Sequence, residues 1–466
     1  MKHWLVVLVL AVAAPALAQG PYRSEIRYDS YEGLVMAGYQ GWFNTPGDGA
    51  GRNWHHYEKG RRFEPGWCTI DLWPEVSEYP DLYETAFTFG DGTYASVPSA
   101  YDYSTVDVHF RWMQEYGLDG VFLQRFVAEI ANPSGRAHFD KVVASAMECA
   151  NRYSRAVAIM YDLSGMPAKG PDILLKDIDR LAKAHHLFDH AANPSYLYQN
   201  GKPLVAVWGV GFNDNRRYGF DECEKIIDGL RKKGYSVLIG VPTRWRTLTG
   251  DTLPDARLHD LIRKCDVVMP WFVGRYNERT YPEYHQLIRE DMAWAGKEGI
   301  AYAPLCFPGF SWANMQRPGR PGVQIPRNGG RFFKQQLDYC LDSGAKMLYI
   351  AMFDEIDEGT AIFKQMHVSD VPSNVPYNKN NVPSGYGYST DDDYWVTYTT
   401  SGGYRMNSKE QTGTSVVWSR LASDLDIRFQ GIDDDKGTDW YLKLTGAGAK
   451  MLRGEIKMSS SIPSSL

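Results

Sequence analysis

The segment Phe353 to Thr360, FDEIDEGT, sets four acids into five positions directly behind the apolar run MLYIAM. Carboxylates crowded at the mouth of a fold repel one another, and the repulsion raises the pKa of at least one, which then keeps a proton near neutral pH. Glycosidic cleavage uses two carboxyl groups in distinct roles, one protonating the leaving oxygen and the other acting as base or nucleophile. Glu355 and Glu358 stand at i and i+3. Through a strand-to-helix turn that spacing can aim both into one cavity, although it leaves their separation, and so the stereochemistry, open. The competing reading is a solvated acidic turn that caps the following helix through its dipole.

These residues must be held by a frame, and eight short apolar runs supply one. They are LVMAGYQGWF from Leu34, DGVFLQRF from Asp119, AVAIMYDLS from Ala156, PLVAVWGVGF from Pro203, SVLIGVPTRW from Ser236, DVVMPWFVGRY from Asp266, AYAPLCFPGF from Ala301 and MLYIAMFDEIDEG from Met347. Their unbroken apolar character fits parallel strands covered on both faces. Segments of helical spacing lie between them, such as Phe139, Val142, Val143 and Ala146, or Ile226, Ile227 and Leu230. Ser104 three before Asp107, Gly117, Pro171 and Gly234 supply helix-boundary signals. From the second run onward the strand starts recur at about 30 to 47 residues, the length of a βα unit. Eight such units predict an α/β fold, a (β/α)8 TIM barrel. An open doubly wound sheet is the alternative, but no GxGxxG follows the first strand.

In such a barrel the active site collects at the C-terminal ends of the strands. The residues expected there are Tyr39, Gln40 and Trp42; Gln124 and Arg125; Tyr161 and Asp162; Trp208; Arg244, Trp245 and Arg246; Arg275 and Tyr276; Phe310 and Trp312; and the acids from Asp354 to Glu358. Aromatic rings offer flat faces to sugar C–H surfaces, while carboxylates and guanidinium groups fork hydrogen bonds to vicinal hydroxyls. The mixture suits a carbohydrate. Each Trp or Tyr could equally be a packing residue of the rim, and each Arg or Asp a member of a structural ion pair.

Residues 44 to 102 form a long insertion after the first strand, containing His55, His56, Trp67 and Trp73, and would stand on the catalytic face. His55 and His56 read as sugar ligands or as a solvated loop with equal weight. His185, His186 and His190 read as a surface cluster on an outer helix, so no metal site is expected. No Walker loop or GxSxG elbow is present, and no cofactor is implied.

The bulk properties agree with an ordinary globular enzyme: 466 residues, 44% hydrophobic and 23% charged, with a formal net charge of −6 that argues against a nucleic-acid partner. The opening MKHWLVVLVLAVAAPALAQG reads as a cleavable leader ending at Ala18, too short for a membrane span, so a periplasmic or secreted protein is expected. The six cysteines are widely spaced without a CxxC pair and read as buried free thiols. The domain plan is therefore a leader over 1–18, the barrel over 19–368 and a loop-rich extension with closing helices over 369–466. Tyr441, Leu444, Met451 and Leu452 in that extension could pack onto the barrel.

YIAMFDEIDEGTAIF, together with GYQGWF, GVFLQRF and CFPGFSW, resembles the glycoside hydrolase family 99-like proteins, of the family 71/99-like set. The resemblance covers roughly residues 30 to 365. Its most specific element is E-x-x-E-G-T, met by Glu355, Glu358, Gly359 and Thr360. It implies a (β/α)8 endo-acting α-mannoside hydrolase that retains anomeric configuration. Glu355 would draw the proton from the sugar 2-hydroxyl, whose oxygen then attacks C1 to give a 1,2-anhydro intermediate. Glu358 would be general acid and then base, and Tyr39 looks like a family site tyrosine. The family commonly reads N-E-W-H-E-G-T, whereas this chain has Asp354 for the Asn and Ile356-Asp357 for the Trp-His. Those departures leave the sugar, the linkage and endo or exo action open, xylose- or arabinose-containing polysaccharides included. Two further readings stand beside it: a non-catalytic glycan-binding barrel, and a metal-dependent barrel hydrolase, against which the lack of His-x-His after the first strand counts.

Overall fold

The computed structural model describes residues 26–315, 325–374, 386–391, 394–399 and 429–457. The leader and most of the polar stretch after the eighth strand lie outside the described residues. All eight apolar runs form strands of one parallel sheet: Val35–Tyr39, Gly120–Phe126, Ala156–Asp162, Lys202–Trp208, Ser236–Val241, Val267–Pro270, a split seventh strand and Leu348–Ile350. The seventh run breaks at Pro304, which has no N–H to donate to a ladder. Ala301–Tyr302 pairs with the sixth strand and Leu305–Cys306 with the eighth, so this one segment closes the sheet into a barrel. The eighth strand in turn pairs with the first, Val35 opposite Leu348.

Helices follow the strands in order: Tyr103–Tyr116, Pro133–Tyr153, Gly170–Ala184, Phe220–Lys232, Arg257–Arg263, His285–Lys297 and Arg331–Asp342. Gly117 ends the first in the left-handed conformation at φ 76°, and Pro171 sits in the first turn of the third. Ser104 does not cap; its hydroxyl donates to Asp81 Oδ2 at 2.6 Å, and Asp102 is the N-cap residue. The third helix stops at Ala184, so the three histidines lie beyond it, with the His190 ring stacked on Tyr198 at 4.1 Å.

The barrel's eighth helix comes from far along the chain. Trp440–Leu452 packs between the first helix and Arg331–Asp342, burying Tyr441 and Leu444, while Met451 and Leu452 are half-buried. The insertion builds an aromatic core of its own from Trp54, Tyr57, Phe63, Trp73 and Phe87, closed by Phe429 and flanked by the hairpin Tyr83–Thr88 with Tyr94–Val97. All six cysteines are free and buried. Among the described residues no helix is long and apolar enough to cross a membrane, and no group of three or more side chains is arranged to hold a metal ion.

Candidate active site

Strand side chains alternate between the lumen and the helix layer, and this alternation sorts the strand-end residues. On the first strand Gly38 faces the lumen, where a Cβ would strike Met352 and Tyr349. Gln40 follows on the same face. Its side-chain amide donates to Glu355 Oε1, and its backbone N–H donates to Asp354 Oδ1 at 2.7 Å. Tyr39 points the other way. Its hydroxyl meets His109 Nδ1 at 2.8 Å, and Tyr79 occupies the other ring nitrogen at 2.7 Å.

The same parity turns Arg125 outward, contrary to its expected place in a substrate cleft. Fully buried, it makes a two-pronged pair with Asp177, Nε at 2.8 Å and Nη2 at 2.7 Å, and a further contact with Asp140. Tyr161 donates to the same Asp177. Trp245 is buried against Trp294 and His259, and Tyr276 is buried among Tyr281, Tyr284 and Phe307, its hydroxyl donating to Gln336. Tyr39, Arg125, Trp245 and Tyr276 are therefore structural residues of the strand–helix layer. Arg244 and Arg275 are exposed on the rim, where the Arg275 Nε meets Asp251 at 3.0 Å and the Arg244 guanidinium lies 5.9 Å over Tyr284. Trp208 and Trp312 are half-buried. Trp208 packs edge-on to Trp271 at 5.1 Å with the Arg216 guanidinium 5.0 Å over its ring, and Trp312 packs against Phe310.

The acids of the eighth strand occupy one turn, held from four sides. Asp354 accepts backbone N–H groups from Gln40 and Gly41. Glu355 accepts from Gln40 and, at 2.6 Å on Oε2, from the Thr360 hydroxyl. The backbone oxygen of Ile356 accepts the N–H groups of Asp71 and Leu72, which docks the insertion on the motif. Ser311 donates its N–H to Glu358 O at 2.8 Å, and Asp71 fixes that segment by accepting the Ser311 hydroxyl and the N–H groups of Ala313 and Asn314. Gly359 has φ 64°, and a Cβ there would lie 2.9 Å from Ser311 N, so both conformation and space call for glycine. Arg327 clamps the turn from below, donating to the carbonyls of Gly359 and Ala361 while facing the Tyr441 ring of the eighth helix.

Two residues at this site were only weakly signalled by sequence. His56 of the insertion brings Nδ1 to 3.0 Å from Asp357 Oδ2, and its ring stacks on Trp42 at 3.7 Å and 7°. Phe126 also stacks on Trp42, at 5.1 Å and 26°. Thr360 is the other: it ends the E-x-x-E-G-T motif, but only the folded turn brings its hydroxyl to Glu355.

Burial pushes every acid here upward, and a neighbouring acid adds to it at Asp354, Glu355, Asp357 and Glu358. Asp162 rises to about 6, Asp354 and Glu358 to about 7, and Asp357 to about 8, burial being the main cause in each case. Glu355 rises well above the carboxylate range through burial and then the charges of Glu358 and Asp357, while Thr360 and Gln40 pull it back. The Glu358 carboxyl has no hydrogen-bonding partner among the described residues and feels Asp357 and Asp162. Such a cluster can hold one proton in the Glu355/Glu358 pair near neutral pH.

No protein-family model matches the chain, and no curated protein matches it. Solved structures share the fold. The GH99 endo-alpha-mannosidase of Bacteroides thetaiotaomicron, in complex with BIS-TRIS-Propane, superposes with a TM-score of 0.55 at 14% identity, covering 92% of this chain and 98% of that one. A second structure of the same enzyme gives 0.53 at 14% identity over 91% and 98%. At that identity the likeness establishes the barrel fold.

Proposed function

We propose that the protein is a glycoside hydrolase that cleaves α-linked glycans, an α-mannan-like substrate being favoured, outside the cytoplasm. The observation that carries this reading is the Glu355/Glu358 pair, a buried and a half-buried carboxyl group of unlike environment on one turn at the C-terminal end of a barrel strand. Two donors fix Glu355, and donors favour the ionised carboxylate. Glu358 has none and is pushed to about 7, which favours a proton. Burial raises Glu355 as well, so the assignment of Glu358 as acid and Glu355 as base rests on the two donors that hold Glu355 and on the resemblance of E-x-x-E-G-T to family 99.

In the proposed reaction Glu358 gives its proton to the leaving glycosidic oxygen as the C1–O bond breaks. Glu355 takes the proton of the sugar 2-hydroxyl, and that oxygen bonds to C1. Water then opens the 1,2-anhydro sugar, with Glu358 as base and Glu355 returning its proton, so that the configuration at C1 is retained. Gln40, Trp42, Asp162, Trp208 and Trp312 are the proposed substrate contacts, with Arg244 and Arg275 at the rim. The test is incubation with α-mannans, xylose- and arabinose-containing polysaccharides and aryl glycosides, with released sugars read by chromatography. Release from α-mannan supports the favoured substrate; release from another polymer moves the specificity, and binding without release favours the non-catalytic barrel.

A further inference from the structure

We propose that the protonated carboxyl of Asp357 donates a hydrogen bond to Nδ1 of His56, which fixes the imidazole proton on Nε2 and presents that N–H as a hydrogen-bond donor to a hydroxyl of the bound glycan. His56 would then be a substrate-binding residue that the insertion contributes, and Asp357 its positioning residue. The glycan half of this inference rests on the glycosidase reading; the proton placement does not.

The geometry supplies the argument. Asp357 is fully buried, and its Oδ1 has no hydrogen-bonding partner among the described residues. An ion in that position would be cut off from water with Glu355, Glu358 and Asp71 as charged neighbours, and burial outweighs the help of the Asp357 and Glu358 backbone N–H groups. A neutral carboxyl avoids this cost, and it has one proton to give. Its Oδ2 lies 3.0 Å from Nδ1 of His56. The imidazole cannot take on a second proton cheaply either. It stacks on Trp42, and Arg52 opposes a positive ring more than Glu129 favours one, with His55 edge-on at 4.7 Å. Its pKa is accordingly lowered to about 3, mainly by burial.

A neutral imidazole carries one N–H, and a partner that donates to one nitrogen forces that hydrogen to the other. The proton count balances: Asp357 keeps its hydrogen, shared with Nδ1, and His56 keeps its own on Nε2. The His56 side chain is 28% exposed, and Nε2 has no hydrogen-bonding partner among the described residues. Nδ1 stands beside Asp357, one residue from Glu358, so the ring lies at the edge of the acid cluster. If Asp357 ionised, it would accept Nδ1–H instead, and Nε2 would become an acceptor.

The experiment is 15N NMR of the histidine rings in the full-length mature protein, with His56→Gln used to assign the resonance. At pH 6.5 the expected state is neutral with the proton on Nε2, changing to Nδ1–H as the pH passes about 8, where Asp357 ionises. Asp357→Asn, whose amide can donate to Nδ1 at any pH, should abolish that change. A ring found as the Nδ1–H tautomer, or doubly protonated, at pH 6.5 overturns the proposal. Addition of an α-mannan oligosaccharide should shift the Nε2 signal, and His56→Ala should raise KM about tenfold with kcat changed less than about threefold. An unmoved Nε2 signal with bound oligosaccharide overturns the donor role. A chain that cleaves no glycan yet shows the Nε2–H tautomer retains the Asp357–His56 pairing and loses only the glycosidase reading.

Discussion

Thr360 Oγ1 donates to Glu355 Oε2 at 2.6 Å, closing a loop of six residues so that the last member of the E-x-x-E-G-T motif holds the first. The Thr360 N–H reinforces the loop on the Glu355 carbonyl at 3.1 Å. A donor to an ionised carboxylate stabilises that form by roughly 1.5–3 kcal/mol. Thr360→Val keeps the shape and removes the donor, so the Glu355 pKa rises. The acid limb of the kcat/KM profile should move to higher pH, and kcat should fall about 10- to 100-fold. An unmoved acid limb would separate Glu355 from the base role.

Gly359→Ala tests the turn itself. The substitution puts a methyl carbon against Ser311 N in a left-handed conformation. It should cost about 1–3 kcal/mol, read as a lowered urea midpoint, and should reduce turnover by moving Glu358. An unchanged midpoint would mean that the turn adapts freely.

Stability should depend on pH through the buried acids. Asp162, Asp354, Asp357 and Glu358 have folded-state pKa values above their ordinary ones, so the folded chain binds more protons than the unfolded chain between about pH 4 and pH 8. Their favourable contribution is complete below the unfolded pKa and is lost as pH rises through about 6 to 8. The urea midpoint should therefore be higher at pH 5 than at pH 8, and Asp357→Asn should flatten the difference. A midpoint that rises between those pH values contradicts the burial of neutral acids.

Arg125 offers a control for residues that look functional and are structural. Asp177→Ala would leave its buried guanidinium without its main partner, a loss of about 3–5 kcal/mol. The measurement is the urea midpoint together with KM of the surviving folded fraction. A lowered midpoint with unchanged KM is expected; a raised KM at unchanged stability would return Arg125 to the substrate cleft.

The eight strands were legible because parallel strands covered on both faces must be apolar at every position. Their ends were legible only as neighbourhoods. Whether Tyr39 or Gln40, Gln124 or Arg125, faces the lumen depends on the register parity fixed by the neighbouring strands, and a run that is apolar throughout carries no alternation to reveal it. The closing helix reads from sequence as part of an extension because about 90 residues, most of them polar, separate Ile350 from Trp440; its eighth-helix place follows from packing against the first and seventh helices. The His56–Asp357 contact spans 301 residues, beyond any local pattern. Ser104 failed as a cap because Asp81 of the insertion competes for its hydroxyl.

Glu358→Gln gives the most direct measurement of the central claim: turnover of the glycan identified by the substrate panel, with affinity for it measured by calorimetry on the same variant. The amide cannot protonate a leaving oxygen but fills the same space, so turnover should fall by at least about a thousandfold while affinity changes less than about tenfold. Turnover within tenfold of the parent chain would contradict the assignment of Glu358 as acid and, with it, the Glu355/Glu358 pair as the catalytic centre.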